Sequence, residues 1–460
     1  MSQIIKITGL GSSGEGVGKL GELAVFVEGA LPSEEISAEI ETRKKNYAVA
    51  RLVEVLKPSQ DRVEPFCPLY KDCGGCQLQH LSYPAQLKWK RQQVVDAVER
   101  IGKISGVEIF ATLGMENPLR YRNKMQFPVG KNLQIGCYAR GSHKIIDTSA
   151  CMIQNAKNDE ILAAVRKVAK KFEIQPYNED THKGFLRHVM GRVGADGEFM
   201  IVLVTAAKNF PNEKNFVRAL LKELPDVTSI QQNIQTFKNN VILGRETKVL
   251  YGKPTIRDKI GDFSFNISAR SFFQVNTAQA EILYQTALNF ANLRGNELII
   301  DAYCGTGTIS LFMAKKARKV IGVEVVSSAI SDAIKNAREN HIKNAEFIVG
   351  DAVKVIPQIP DYAEVVIVDP PRAGCDKKVL ETFAAMKPEK IIYVSCNPAT
   401  LARDLKILDE CGYKTKKIQP VDMFPFTSHV ESVAQLVRKK EGAENNRKRR
   451  YRRSFPRRLR

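Results

Sequence analysis

Four acidic residues each close a strand-like apolar run in the C-terminal half of the chain. Asp301 follows Leu-Ile-Ile, Glu324 follows Val-Ile-Gly-Val, Asp351 follows Phe-Ile-Val-Gly and Asp369 follows Val-Val-Ile-Val. The first run leads into Asp301-Ala-Tyr303-Cys304-Gly305-Thr-Gly307, a turn whose glycines let backbone approach a ligand closely before a helix begins. A dinucleotide-binding turn would read G-x-G-x-x-G. The third glycine is missing, and a row of carboxylates would repel a pyrophosphate. The same row suits a nucleoside that carries a positive charge, with Glu324 placed for the ribose hydroxyls and Asp351 for an adenine amino group. That combination points to S-adenosylmethionine.

Two further residues supply chemistry at the same edge. Cys396, in Tyr393-Val-Ser-Cys396-Asn-Pro398, directly follows a fifth apolar run, where an accessible thiolate could act as a nucleophile. Glu431, in His429-Val-Glu431-Ser, could return a carboxylate to that edge on a later strand. A thiol and a carboxylate base beside a methyl donor define a specific reaction. Pyrimidine C5 is a poor nucleophile, but thiolate addition at C6 makes it enolate-like. C5 then takes the methyl group, and a base removes the C5 proton so that the thiol is eliminated.

Regular alternation of apolar runs and helical stretches must position these residues. From residue 263 to about 440 it predicts a doubly wound, mostly parallel α/β sheet, a Rossmann-like methyltransferase domain whose ligands sit beyond the strand carboxyl ends. The first 59 residues read as about five short strands with glycine turns, a small β-barrel of a kind that often binds nucleic acid. Residues 60–262 mix strands and helices and read as a central α/β domain. Residues 441–460 hold nine basic and two acidic residues and read as a basic flexible tail. The 460 residues fit two to four domains of about 100–200 residues.

Seventy Lys and Arg against fifty Asp and Glu leave +20, an excess that attracts polyanions through counterion release. No apolar run approaches the roughly 18 residues of a spanning helix, so no membrane partner and a cytoplasmic location are expected. Nine cysteines in such a chain argue against a disulfide framework. Cys67-x5-Cys73-x2-Cys76, with Cys151 returning as a fourth thiolate, suits tetrahedral zinc or an iron–sulfur cluster, and spacing alone does not choose. Cys304 and Cys375 read as structural, and Cys137 and Cys411 as ordinary small residues.

Taken in order along the chain, these motifs resemble the RNA m5U methyltransferase family, bacterial 23S rRNA (uracil-5-)-methyltransferases in particular. The resemblance covers a TRAM-like barrel (9–58), the cysteine group, Ser271-Phe-Phe-Gln274-Val-Asn276, the Asp301 turn, Asp369-Pro-Pro-Arg372-Ala-Gly-Cys375, Ser395-Cys-Asn-Pro398 and His429-Val-Glu431. It implies Cys396 as nucleophile and Glu431 as the base at C5. It further implies Gln274, Tyr303, Glu324 and Asp369 as S-adenosylmethionine contacts, and a [4Fe-4S] cluster on Cys67, Cys73, Cys76 and Cys151 in preference to zinc. The implied partner is 23S rRNA, presenting a flipped uridine from a single-stranded loop. The same reaction on the tRNA T-loop and a non-catalytic RNA-binding assembly factor are the alternatives. Tyr121-Arg122-Asn-Lys124, and Arg187-His188 with Arg192, are expected to hold flanking RNA.

Overall fold

The computed structural model describes residues 2–439. The expected basic tail lies outside the described residues. Among these, no helix is long and apolar enough to cross a membrane.

Strands β1 (Gln3–Leu10), β2 (Gly16–Leu20), β3 (Leu23–Val27), β4 (Glu35–Arg43) and β5 (Tyr47–Lys57) close a barrel in the order β1-β2-β3-β5-β4. Period-two alternation turns Ile5, Ile7, Val25, Val27, Ile36, Ala38, Ala48 and Ala50 inward. Gly18 is required where β2 crosses β1, because a Cβ there would stand 2.6 Å from Ile5 Cγ2. Parallel pairing of β3 with β5 completes closure and sets Phe26 beside Val49 on the outer surface.

A helix α1 (Tyr83–Asp96) opens with Pro84 in its first turn, and the short β6 (Glu108–Ile109) follows. The central sheet takes β7 (Lys124–Pro128), β10 (Leu186–Val193), β11 (Phe199–Thr205), β12 (Ser229–Ile234) and β13 (Glu246–Gly252), with β7 and β13 at its edges. Between β7 and β10 come the hairpin β8 (Gly136–Tyr138) and β9 (Ile145–Asp147), then α2 (Ala156–Lys171); α3 (Glu213–Glu223) follows β11. The hairpin β14 (Thr255–Ile260) and β15 (Phe263–Ser268) crosses the expected 262/263 border. Its Ile256, Ile260, Phe265 and Ile267 pack into the core of the C-terminal domain.

That domain runs α4 (Thr277–Ala291), β16 (Leu298–Ala302), α5 (Thr308–Ala314), β17 (Lys319–Glu324), α6 (Ser327–Glu339), β18 (Ala345–Val349) and α7 (Ala352–Val355). It continues with β19 (Val365–Val368), α8 (Lys377–Ala385), β20 (Lys390–Ser395), α9 (Pro398–Glu410), β21 (Tyr413–Val421) and β22 (Glu431–Arg438). Its eight-stranded sheet has the order β18-β17-β16-β19-β20-β22-β21-β6. Strands β16 to β20 are parallel, and β22 runs antiparallel to both its neighbours. Ile299, Ile367 and Ile392 point into one hydrophobic layer, and Leu298, Ile300, Val366 and Ile391 into the other. Burial on both faces explains why these strands are nearly continuous apolar runs. Strand order reverses between β16 and β19, where ligand sites form in doubly wound sheets.

Candidate active site

The site is built at the carboxyl ends of β16, β17, β19 and β20. A cavity of about 1270 Å³ there is lined by Asp301, Tyr303, Glu324, Asp369, Cys396 and Glu431, and by Gln274 from the loop before α4. The turn after β16 is shaped by three positive φ angles, at Tyr303 (65°), Gly305 (54°) and Gly307 (82°). A non-glycine residue in this region is uncommon, and here it turns Tyr303 toward the cavity. Gly307 caps α5 so closely that a Cβ would meet Phe347 and Ala333 at about 3.0–3.1 Å. Glu324 accepts hydrogen bonds from the Gly305 and Val326 backbone N–H groups at 3.3 and 3.0 Å, which ties the ends of β16 and β17 together. Beneath them Asp301 is buried and accepts from Ser310 Oγ at 2.5 Å.

Strand register sets Cys396 against Glu431. Ser395 pairs with Ser432 in the antiparallel ladder of β20 and β22. The next residues outward are Cys396 and Glu431, so they face each other across adjacent strands. Directly opposed residues hold their Cβ atoms about 4.5–5.5 Å apart. Burial pushes the Cys396 thiol up to about 11, reinforced by the carboxylates of Glu431 and Asp369 and offset by Arg372. Burial and the neighbouring Asp369 raise Glu431 to about 8, and burial alone raises Asp369 to about 6. These acids repel one another in the absence of a cation. A sulfonium seated among them would lower all three values and favour the thiolate. Arg372 reaches across the rim to His429 Nε2 at 3.0 Å, and Phe272, 74% exposed, stands at the mouth of the cavity.

Residues 218–439 match the tRNA (Uracil-5-)-methyltransferase family model, and residues 2–53 match the TRAM domain. A Clostridium tetani protein described as an uncharacterized RNA methyltransferase is 52% identical over 93% of this chain and 94% of its own. One from Halalkalibacterium halodurans, described likewise, is 51% identical over 94% of this chain and 96% of its own. The crystal structure of Pyrococcus abyssi tRNA (uracil-54, C5)-methyltransferase with S-adenosyl-L-homocysteine superimposes with a TM-score of 0.77. It is 32% identical, covering 95% of this chain and all of that one. The chain belongs to the RNA (uracil-5-)-methyltransferase family. It is an RNA uracil-C5 methyltransferase that uses S-adenosylmethionine.

Of the residues expected to serve the methyltransferase, Gln274, Tyr303, Glu324, Asp369, Cys396 and Glu431 meet at one cavity. Asp351 does not line it. Its exposed carboxylate caps α7 by accepting from the Val353 N–H at 3.0 Å, a local bond available to any Asp at a helix start. Arg187 and Arg192 are corrected as RNA contacts, because both side chains are buried. Arg187 donates to the Gln235 and Phe237 carbonyls at 3.0 and 2.8 Å and to Glu179, while Arg192 donates to the Ser271 carbonyl at 2.6 Å. Neither signal is visible in sequence, since burial comes from the interior position of β10 in its sheet. Arg372 with His429 and the exposed Phe272 lie inside the sequence motifs, but nothing in their residue types or spacing marks them as part of the rim.

The cysteine group lines a second cavity of the methyltransferase, about 1230 Å³, between the barrel and the central domain. Cys67, Cys73, Cys76 and Cys151 all border it, and so does Cys137, which by sequence alone reads as an ordinary small residue. The β8–β9 hairpin brings Cys137 there by pairing Cys73 with Ala139 and Gly74 N–H with the Tyr138 carbonyl at 2.9 Å. Burial and the other thiols hold Cys76 up at about 12. Raised in this way, Cys67, Cys76 and Cys151 are held as neutral thiols. Among the described residues, no three ligating side chains converge as a single ion requires. The metal cluster expected on Cys67, Cys73, Cys76 and Cys151 is therefore without support from the geometry of the described residues.

Proposed function

We propose that this enzyme methylates uridine C5 in 23S rRNA through a covalent adduct on Cys396. The register that sets Cys396 opposite Glu431 at the rim of the acid-lined cavity carries the reading. Bound S-adenosylmethionine supplies a sulfonium methyl group, held by Gln274, Tyr303, Glu324 and Asp369. Cys396 Sγ loses its proton to solvent before the pyrimidine closes over it, the thiolate then forms a bond to C6 of the flipped uracil, and the C5=C6 electron pair moves onto the C4 carbonyl. C5 then bonds the methyl carbon as the sulfonium–carbon bond breaks, leaving a neutral thioether. Glu431 takes the C5 proton, the C5=C6 bond reforms, and the Cys396–C6 bond breaks. Closing the pyrimidine over the buried carboxylates excludes water from the thiolate.

Cys67, Cys73, Cys76 and Cys151 would hold a [4Fe-4S] cluster that braces the RNA-binding face. Finding zinc, rather than iron and sulfide, in anaerobically purified protein would overturn this assignment. The second substrate reading is the tRNA T-loop, favoured by the Pyrococcus abyssi match, which includes the whole of that tRNA enzyme and so shows that a barrel can accompany tRNA specificity. Mapping 5-methyluridine in rRNA and tRNA from cells with and without the protein decides between them. Loss from 23S rRNA alone supports the proposal; loss from tRNA alone transfers it to the T-loop.

A further inference from the structure

The turn of residues 422–430, between β21 and β22, delivers Glu431 to the catalytic edge, and its Phe424 and His429 line the cavity beside that carboxylate. Backbone N–H and C=O groups outside a helix or sheet need partners from elsewhere, so the shape of such a turn is set by its surroundings. Here the partners come from α1 and from the residues that follow Cys76. Tyr83, Gln86, Lys90 and Gln93 succeed one another at spacings of three, four and three, which puts them on a single face of α1. An inward helix face is ordinarily apolar. This one is polar, although Gln86 and Lys90 are fully buried.

Buried polar groups are costly unless they are hydrogen-bonded, and every member of this stripe is bonded to the turn. The Tyr83 hydroxyl donates to Asp422 Oδ2 at 2.8 Å, and Gln86 Oε1 accepts from the Phe426 N–H at 3.1 Å. Lys90 Nζ donates to the Phe424 carbonyl at 3.0 Å, and Gln93 Nε2 to the Ser428 carbonyl at 3.2 Å. Gln77 closes the grip from the other side. Its Oε1 accepts from the Ser428 N–H at 3.3 Å, and its own N–H donates to the Phe426 carbonyl at 3.0 Å. Phe426 is held at a φ of 65°, which a bulky residue adopts only where its surroundings fix it. Ser428, three residues before Glu431, is therefore clamped on both its N–H and its C=O. None of Gln77, Gln86, Lys90 and Gln93 lines the catalytic cavity, so they reach the reaction only through the turn. We propose that Gln77 and Gln93, with the buried polar stripe of α1, are positioning residues: by fixing Ser428 they hold Glu431 where it takes the C5 proton. This rests on the covalent reading of Cys396 and Glu431.

Methyl transfer from a sulfonium is irreversible and precedes the step that Glu431 performs. Slowing the later step lowers kcat and KM together, leaves kcat/KM nearly unchanged and makes the methylated adduct accumulate. A loss of folded enzyme lowers kcat and kcat/KM equally and leaves no adduct. The test compares Gln93→Met and Gln77→Met, which keep side-chain length but remove the side-chain hydrogen bonds, with Gln92→Met on the exposed face of α1. Full-length protein, tritiated S-adenosylmethionine and RNA from cells lacking the enzyme give kcat and KM, and denaturing electrophoresis gives the adduct. Both clamp variants should show kcat about tenfold lower, kcat/KM within about twofold of wild type, and a covalent protein–RNA band during turnover. Gln92→Met should match wild type. Parallel falls in kcat and kcat/KM without the band, or wild-type kinetics in both clamp variants, overturn the proposal. Glu431→Gln is run alongside; if it binds both substrates and traps no adduct, the covalent reading is what fails.

Discussion

The two large cavities of this enzyme differ in how their charges are arranged. The catalytic one brings Asp301, Glu324, Asp369 and Glu431 together with Arg122, Arg245, Arg270 and Arg372, whereas the one beneath the barrel sets Arg122, Lys124 and Arg140 with Glu15 and Glu28 beside its thiols. Both contain cysteines, yet the sulfur chemistry differs. Cys396 stands beside a carboxylate with Cys304 also in the lining, while five thiols share the other space. A cationic methyl donor and a polyanionic strand need opposite surroundings, and the catalytic cavity offers both, buried carboxylates such as Asp301, Asp369 and Glu431 and an exposed Arg372. The seam is held by a buried ion pair, Lys90 on α1 with Asp422 at the end of β21, at 2.5 Å, with Lys90 also donating to the Phe424 carbonyl at 3.0 Å.

Removing the Cys396 thiol should have the largest effect. Cys396→Ala should lower methyl transfer by at least about a thousandfold, with S-adenosylhomocysteine affinity by calorimetry within about twofold of wild type. If the variant retains substantial turnover, Cys396 is not the nucleophile. Lys90→Met strands the Asp422 carboxylate in the seam and should cost about 3–5 kcal/mol in denaturant unfolding. Replacing both partners by apolar residues should recover part of that loss, and equal losses in the single and double variants would show that the pair itself contributes little.

A subtler change should appear in the thiol titration. Glu431 is fully charged well below the pH at which Cys396 ionises, about 11, and its charge raises that value. Glu431→Gln should therefore shift the midpoint of Cys396 alkylation to lower pH in ligand-free protein. An unmoved midpoint would separate the two side chains. Smallest is the tail. Deleting Arg447 to Arg460 should flatten the salt dependence of RNA binding while S-adenosylhomocysteine affinity stays unchanged.

Much of the catalytic edge was legible because each strand of a buried parallel sheet is a continuous apolar run, and its ligand-facing residue comes directly after it. Cys396, Asp369 and Glu324 were found that way. The insertion of β22 between β20 and β21 was not, since it depends on pairing between strands rather than on local pattern. Cys137 was missed for a related reason: the hairpin that folds it onto Cys73 carries no motif. Arg187 and Arg192 read as surface cations because sequence does not reveal that their strand lies inside a sheet with polar backbone partners at hand.

The proposed covalent adduct on Cys396 can be tested directly. Glu431→Gln protein, S-adenosylmethionine and RNA from cells lacking the enzyme would be combined, digested with ribonuclease and analysed by denaturing mass spectrometry. With proton removal blocked, a methylated uridine nucleotide should accumulate on the peptide containing Cys396, and it should be missing from the Cys396→Ala, Glu431→Gln double variant. Methylated RNA released by wild type, with no adduct on any Glu431→Gln peptide despite intact binding of both substrates, would contradict the account.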